Sequence, residues 1–108
     1  MYVIRRVWET KPREARRAAS IVAEIGKAYE DSGQRESVRV YFNGGTLPGE
    51  RNRVYMEWTT DVIESTYRAG REAPALGDLG QRLSEVTEQS WIEFYELLTP
   101  EKAMPLDG

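Results

Sequence analysis

The residues best suited to chemistry alternate along three segments of the chain, two positions apart within each segment. They are arginine, tyrosine, asparagine, glutamate and tryptophan side chains: Arg39, Tyr41, Asn43, Tyr55, Glu57, Trp91, Glu93 and Tyr95. An arginine can hold a carboxylate or phenolate, tyrosines can stack and donate hydrogen bonds, and a glutamate can act as a general base. The pattern predicts a binding surface for a small aromatic molecule, with Tyr55, Glu57 and Glu93 as candidate catalytic residues.

The residue types that are absent exclude several kinds of site. The 108-residue chain contains no cysteine and no histidine. Disulfide frameworks, cysteine nucleophiles, serine–histidine relays, the usual zinc sites and histidine-ligated haem all require one of them. We therefore expect no metal and no cofactor. The net charge of −3 provides no basic surface for a polyanion, so nucleic acid is not expected as a partner.

Two of the alternating segments form a predicted β-hairpin. Residues 37–43 and 53–59 are rich in β-branched and aromatic residues. The loop between them contains two dipeptides that favour turns, Gly44-Gly45 and Pro48-Gly49. Successive strand side chains point to opposite faces. The apolar face carries Val38, Val40, Phe42, Val54, Met56 and Trp58. We expect helices to cover that face, which leaves the polar and aromatic residues on the other.

The first strand, predicted over residues 2–9, is apolar on both sides. Each side also carries one arginine, Arg5 or Arg6, so the sequence leaves open which of them joins the polar face. A helix is then predicted, with Thr10 as its N-cap, an apolar stripe from Ala15 to Tyr29, and Gly33 as its end.

The second half of the chain predicts two further helical segments and a strand. A short helix over residues 62–69 begins at an Asp61–Glu64 capping box, and a longer helix covers residues 74–89. The strand over residues 91–98 places Ile92 and Phe94 on the apolar side, against the helices. One turn at residues 99–101 and a tail with exposed apolar residues are expected to follow.

This order of elements predicts one α+β domain. Right-handed crossovers fold βαββαβ into a four-stranded antiparallel sheet of order 4-1-3-2 with both helices on one face, the ferredoxin-like sandwich. The domain spans residues 1–98, and residues 99–108 form a C-terminal turn and tail. The polar face lacks a cover within one copy, and four aromatics of about 150 Å² each are at or beyond the upper end of the apolar patches that monomers expose. We therefore expect a homodimer that closes sheet to sheet around a cavity.

Two further expectations concern the cavity and the cell. In the alternative without a ligand, Arg39, Glu57 and Glu93 pair with one another across strands and merely fill the dimer interface.

The apolar run after Met1 is broken by Arg5-Arg6, too early for a signal peptide or a membrane span. We expect a cytoplasmic protein with no membrane partner.

Two short motifs resemble the dimeric α/β-barrel superfamily, which includes antibiotic-biosynthesis monooxygenases, haem-degrading monooxygenases and NIPSNAP-type domains. These motifs are Thr10-Lys11-Pro12, and Gly49, Asn52, Val54 and Trp58 at fixed spacing in a NIPSNAP-like pattern. The resemblance covers roughly residues 2–98 in layout, and it implies the ferredoxin-like fold and a homodimer.

The activity implied by this resemblance is cofactor-independent oxygenase chemistry on a phenolic substrate, for which members use asparagine and tryptophan. Here the alternation points Trp58 at the helices and Asn43 at the polar face. The haem-degrading branch uses a histidine ligand, which this chain lacks. The functional hypothesis is a small-molecule-binding dimeric barrel, in its enzymatic form a monooxygenase or isomerase acting on an aromatic or polyketide-like compound. The alternative is a non-catalytic accessory or interaction protein.

Overall fold

Six elements follow one another in the predicted order. The structure is a computed structural model that describes residues 1–35, 37–63 and 74–106. The elements are β1 (Tyr2–Thr10), α1 (Ala15–Asp31), β2 (Arg39–Asn43), β3 (Arg53–Thr60), α2 (Leu79–Val86) and β4 (Thr87–Glu96). The predicted helix over residues 62–69 and its capping residue Glu64 lie largely in residues 64–73, outside the described residues.

The four strands form one antiparallel sheet in the order β2-β3-β1-β4. Read from the other edge, this is the predicted order 4-1-3-2. Side chains of α1 and α2 pack together with residues of β1 and β3 in a single core cluster, so both helices cover the same side of the sheet. The predicted ferredoxin-like α+β fold is confirmed.

The side of the sheet that packs on the helices, called here the helix face, is apolar and is sealed at its centre along β3, whereas Phe42 on the edge strand β2 is 39% exposed. Val54 and Met56 are 0% and 1% exposed, and Trp58 lies beside them in the core. Helix α1 approaches closely because Gly26 has no side chain; a Cβ there would lie 2.8 Å from Cγ1 of Val38. The predicted alternation of β3 is thereby confirmed. Complete burial of a side chain of this size stabilises the fold by about 1.5–3 kcal/mol.

Strand pairing decides the orientation of β1, which the sequence left open. Arg5 lies opposite Glu57 on β3 and Glu93 on β4, whereas its neighbour Arg6 lies opposite Met56 and Ile92. Arg6 therefore projects to the helix face and Arg5 to the opposite side. The guanidinium of Arg6 rests 4.9 Å from the ring centroid of Trp8. Among residues 1–35, 37–63 and 74–106, no acceptor lies within hydrogen-bond distance of its buried Nε.

Three predicted boundaries are wrong: α2 begins at Leu79 and not at residue 74, and two others differ because β1 pairs further than expected. Thr10 is the last residue of β1 and not a helix cap; its backbone N–H donates to the carbonyl of Asn52 at 2.8 Å, and α1 begins at Ala15. Residues 87–89 were predicted to be helical, but they belong to β4, where Gln89 lies opposite Glu9. The backbone hydrogen bonds that residues 87–89 form by pairing with β1 stabilise a strand more than their local sequence pattern stabilises a helix.

The apolar side of β4 has the predicted orientation but is not buried. Ile92 and Phe94 lie on the helix face, opposite Arg6 and Ile4, and they are 45% and 48% exposed. Both therefore remain outside the buried core of the described residues. The predicted C-terminal turn forms, with the N–H groups of Lys102 and Ala103 donating to the carbonyl of Thr99. Within the described part of the chain, no helix is long and apolar enough to span a membrane.

Candidate functional site

The candidate site is the side of the sheet away from the helices, called here the open face. Strand pairing places all eight predicted site residues on it, together with Arg5 at its centre. Asn43 lies at one end, where its side chain supports the hairpin loop: Nδ2 donates to the carbonyl of Leu47 at 3.1 Å, and Oδ1 accepts from the N–H of Gly45 at 2.9 Å. Its proposed role in ligand binding stays a prediction.

One half of the open face is organised around the carboxylate of Glu93. Arg5 donates to Glu93 Oε1 from Nε at 2.9 Å, and its second guanidinium nitrogen, Nη2, lies 2.7 Å from the same oxygen. The Tyr95 hydroxyl also donates to Oε1 at 2.8 Å, and the Trp91 indole donates to Oε2 at 2.9 Å. The hydrogen bonds from Trp91, Tyr95 and Arg5 hold the pKa of Glu93 below its ordinary value.

The other half is organised around Glu57 in the same way. Arg39 forms a salt bridge with Glu57 Oε2, and the Tyr41 hydroxyl donates to Oε1 at 2.8 Å. Burial acts to raise the pKa of Glu57, but the hydrogen bonds from Tyr41 and Arg39 and the positive charges of Arg39 and Arg5 outweigh it, so the pKa is lowered. Burial and the hydrogen bond to Glu57 raise the pKa of Tyr41.

The chemistry of these two carboxylates follows from their partners. A general base works best when its pKa lies near the working pH and it can reach the proton that it removes. Glu57 and Glu93 have lowered pKa values, and both oxygens of each already accept hydrogen bonds or salt bridges. This arrangement suits them to positioning the surrounding side chains. The catalytic role suggested for them stays a prediction.

Tyr55 differs from the other candidate catalytic residues because its polar group is not engaged. Its ring stacks on that of Tyr41, with centroids 5.0 Å apart and an angle of 17° between the planes. The guanidinium of Arg5 lies 4.9 Å from the centroid of the same ring. The Tyr55 hydroxyl has no hydrogen-bond partner among the described residues. The ring is therefore held in place while its hydroxyl remains available.

Sequence reasoning missed a third group at the loop end of the open face. The guanidinium of Arg53 lies 5.1 Å from the Trp91 ring centroid, and its Nη2 is 3.8 Å from carboxylate oxygens of Glu9 and Glu50. Gln89 donates to Glu9 at 2.7 Å. The position of Arg53, two residues before Tyr55 on the same strand, could have predicted that it lies on the open face. Gln89 was missed because its segment was predicted to be helical.

Each of the three arginines of the open face lies close to at least one glutamate. Arg5 is paired with Glu93, Arg39 with Glu57, and Arg53 lies between Glu9 and Glu50. The hydrogen bonds and charges of Glu93 and Tyr41 overcome the effect of burial and raise the pKa of Arg5, which keeps this cation charged. In the part of the chain that the structure describes, no three acidic residues cluster so as to hold a metal ion.

Comparisons with known proteins bear on the fold. No family model matches the sequence, and no curated protein matches it. A solved structure of a NIPSNAP family protein from Agrobacterium tumefaciens is similar, with a TM-score of 0.60, 17% identity, and 98% of each chain covered. An uncharacterised NIPSNAP domain protein from Burkholderia xenovorans gives a TM-score of 0.52 and 21% identity over 97% of this chain and 99% of that one.

A third solved structure, of another Agrobacterium tumefaciens protein, has a TM-score of 0.55 and 16% identity over 89% of this chain and 92% of that one. At these levels of identity, the likeness shows a common fold. The resemblance to NIPSNAP proteins is confirmed for the fold.

Proposed function

We propose that the chain is a small-molecule-binding protein that forms a homodimer, in which two open faces close on each other around a cavity for a flat aromatic ligand. The observation that carries the proposal is the cluster of Tyr41, Tyr55, Trp91 and Tyr95 around Arg5, on the side of the sheet opposite both helices. Tyr41 and Tyr95 are 37% and 49% exposed and Tyr55 and Trp91 are half-buried, so one copy leaves aromatic surface open to solvent. A second copy related by a two-fold axis offers a self-complementary cover.

The pairing of charges on the open face supports closure by a second copy. Burying an unpaired ion costs several kcal/mol, and a paired one costs less when its remaining hydrogen-bonding groups are satisfied. Glu57 and Glu93 carry their partners within the same copy. Two such faces can therefore approach each other without leaving a bare charge between them.

The enzymatic form of the proposal is a cofactor-independent monooxygenase or isomerase acting on an aromatic or polyketide-like compound. Of the three candidate catalytic residues, Tyr55 suits this form best, because the oxygens of Glu57 and Glu93 are engaged with neighbouring donors. A tyrosine hydroxyl can donate to the oxygen of a bound phenol or ketone, and it can accept from the hydroxyl of a phenol. This form requires the ligand to reach the Tyr55 hydroxyl.

A second candidate function has one observation in its favour. The carboxylates of Glu57 and Glu93 are saturated by intramolecular partners, which is the arrangement of a structural charge network. In that case the protein is a non-catalytic accessory or interaction protein, and the open face is only its dimer interface.

The dimer is tested with two neighbouring residues of β4 that point to opposite faces. Tyr95 and Phe94 are 49% and 48% exposed. In sedimentation velocity over a range of concentrations, we expect the wild type to be a dimer. Tyr95→Asp places a second carboxylate beside Glu93 in the interface and should give monomers, whereas the matched Phe94→Asp should remain dimeric. Circular dichroism checks that both variants fold. A wild-type monomer at all concentrations contradicts the proposal.

The ligand is tested on the same dimer by native mass spectrometry of freshly purified protein, followed by titration with bicyclic phenols. Bound mass that disappears on denaturation, or saturable binding of a phenol at one site per copy or per dimer, supports the binding function. A dimer that neither carries nor takes up an aromatic compound supports the second candidate.

A further inference from the structure

We infer that the open face selects neutral aromatic ligands that carry a hydrogen-bond donor, that it discriminates against carboxylates, and that the Tyr55 hydroxyl is the anchor. This inference rests on the proposed binding function and names the class of ligand. Three features of the open face carry it: the pairing of its arginines, the commitment of its tyrosine and tryptophan donors to Glu57 and Glu93, and the Tyr55 hydroxyl, which has no hydrogen-bond partner among the described residues.

The arginines of the open face are already paired. Arg5 makes contacts of 2.9 and 2.7 Å with Glu93, and Arg39 is bound to Glu57. Arg53 lies 3.8 Å from each of two carboxylates. A carboxylate on a ligand would have to displace one of these glutamates or approach it closely, and two like charges in a partly buried site repel each other strongly. The face is therefore unfavourable for an acid.

Several hydrogen-bond donors of the open face are directed at its own glutamates. The hydroxyls of Tyr41 and Tyr95 donate to Glu57 and Glu93, and the Trp91 indole donates to Glu93. Once its proton is committed, a phenolic oxygen offers a ligand only lone pairs. Around the two glutamates, the hydroxyls of Tyr41 and Tyr95 therefore offer a ligand only acceptors, and a ligand gains most there by supplying a donor of its own.

The Tyr55 hydroxyl is the exception at the centre of the face. It has no partner among the residues that the structure describes, so it can both donate and accept. The Tyr41 ring at 5.0 Å and the Arg5 guanidinium at 4.9 Å hold its ring in place. Val7, its partner in the register of β1, is 1% exposed, so the sheet beneath the ring is sealed from water. Once a second copy closes over the open face, a hydrogen bond made to the Tyr55 hydroxyl is poorly replaced by water.

The test compares three compounds that share one ring system: β-naphthol, its methyl ether, and β-naphthoate. Their dissociation constants are measured by calorimetry at neutral pH with the full-length dimer, for the wild type and Tyr55→Phe. Tyr29→Phe is the matched control, because it removes the same group from a tyrosine packed against the core of the helix face. Circular dichroism and sedimentation confirm that all three proteins are folded dimers.

We expect wild-type protein to bind naphthol about tenfold more tightly than the methyl ether, the effect of one hydrogen bond, and naphthoate more weakly than either. Tyr55→Phe should abolish the difference between naphthol and its ether, and Tyr29→Phe should leave it intact. Naphthoate binding as tightly as naphthol, or an unchanged difference in Tyr55→Phe, overturns the inference while the binding function stands. Binding of none of the three overturns both.

Discussion

Arg5 and Arg6 are neighbours on one strand and lie in opposite environments. Arg5 projects to the open face, where Glu93 accepts two contacts from its guanidinium and two aromatic rings lie within 6 Å of it. Arg6 projects to the helix face, where it rests on Trp8 and its Nε is buried with no acceptor in the described part of the chain. The arginine on the open face forms an ion pair, whereas the arginine on the helix face mainly packs against an aromatic ring.

The difference shows that the two faces of this sheet are stabilised by different physics. The helix face gains by removing apolar side chains from water, as Val54 and Met56 show by their complete burial. The open face is held by matched charges and hydrogen bonds around Glu57 and Glu93. Such a network adds less stability than apolar burial, but it fixes the orientation of the side chains that take part in it.

The largest expected effect is a loss of packing on the helix face. Met56→Ala should lower the free energy of unfolding by about 2–5 kcal/mol, because Met56 is 1% exposed and truncation leaves a cavity. Urea denaturation at fixed protein concentration measures the change. The matched control is Thr59→Ala, at an exposed position of the same strand, where about 0.5 kcal/mol is expected. Equal effects of the two substitutions would contradict the division between a sealed face and an open one.

The next effect distinguishes the two arginines directly. Arg5→Met removes the cation bound to Glu93 and should cost about 1–2 kcal/mol, less than for a fully buried pair because both side chains are partly exposed. Arg6→Met removes a donor that lacks an acceptor in the described residues and should change stability by less than about 0.5 kcal/mol, or increase it. Both variants are measured by urea denaturation. If Arg6→Met proved the more destabilising, the assignment of the two faces would be wrong.

The smallest expected effect is the change in the free energy of unfolding as the pH is lowered. Hydrogen bonds and arginine charges lower the pKa of both Glu57 and Glu93 from an ordinary value of 4.5. Each carboxylate therefore contributes stability that is fully present above the unfolded pKa and is lost as the pH falls through the lower, folded pKa. We expect a flat stability profile above about pH 5 and a decline below it.

The control for this prediction is the doubly substituted protein, Glu57→Gln with Glu93→Gln. Its unfolding free energy should be lower than that of the wild type at neutral pH and should decline less steeply in acid, since two of the shifted carboxyls are gone. An identical acid slope in both proteins would show that these two groups do not carry the effect.

Much of the architecture could be predicted from local patterns. The alternation in β2 and β3 located the helix face at Val54, Met56 and Trp58, and the order of elements led to the correct sheet topology. The segment around Gln89 was predicted wrongly because a helical pattern of apolar residues runs into it, while its pairing with Glu9 on β1 is a long-range interaction that local propensity does not encode.

The predicted site residues share one face, but their partners could not be read from spacing alone. Alternation placed Glu57 and Tyr41 on the same side, whereas the donors that reach each oxygen depend on register. The role proposed for the glutamates as bases came from residue type, and the lowered pKa values come from the neighbours that the fold supplies. Tyr55 is set apart only by the absence of a described partner for its hydroxyl.

By itself, the sequence determined which side chains of β2 and β3 face the helices, because the two sides of these strands differ in polarity. This alternation is a local property and holds in any register that buries the apolar side. It could not orient β1, whose sides are both apolar and each carry an arginine. Only the tertiary structure decided that Arg5 lies on the open face, because the pairing of β1 with β3 and β4 sets it opposite Glu57 and Glu93. Because the two sides of β1 are similarly apolar, its orientation is decided by the distant residues on β3 and β4 that neutralise the charge of Arg5.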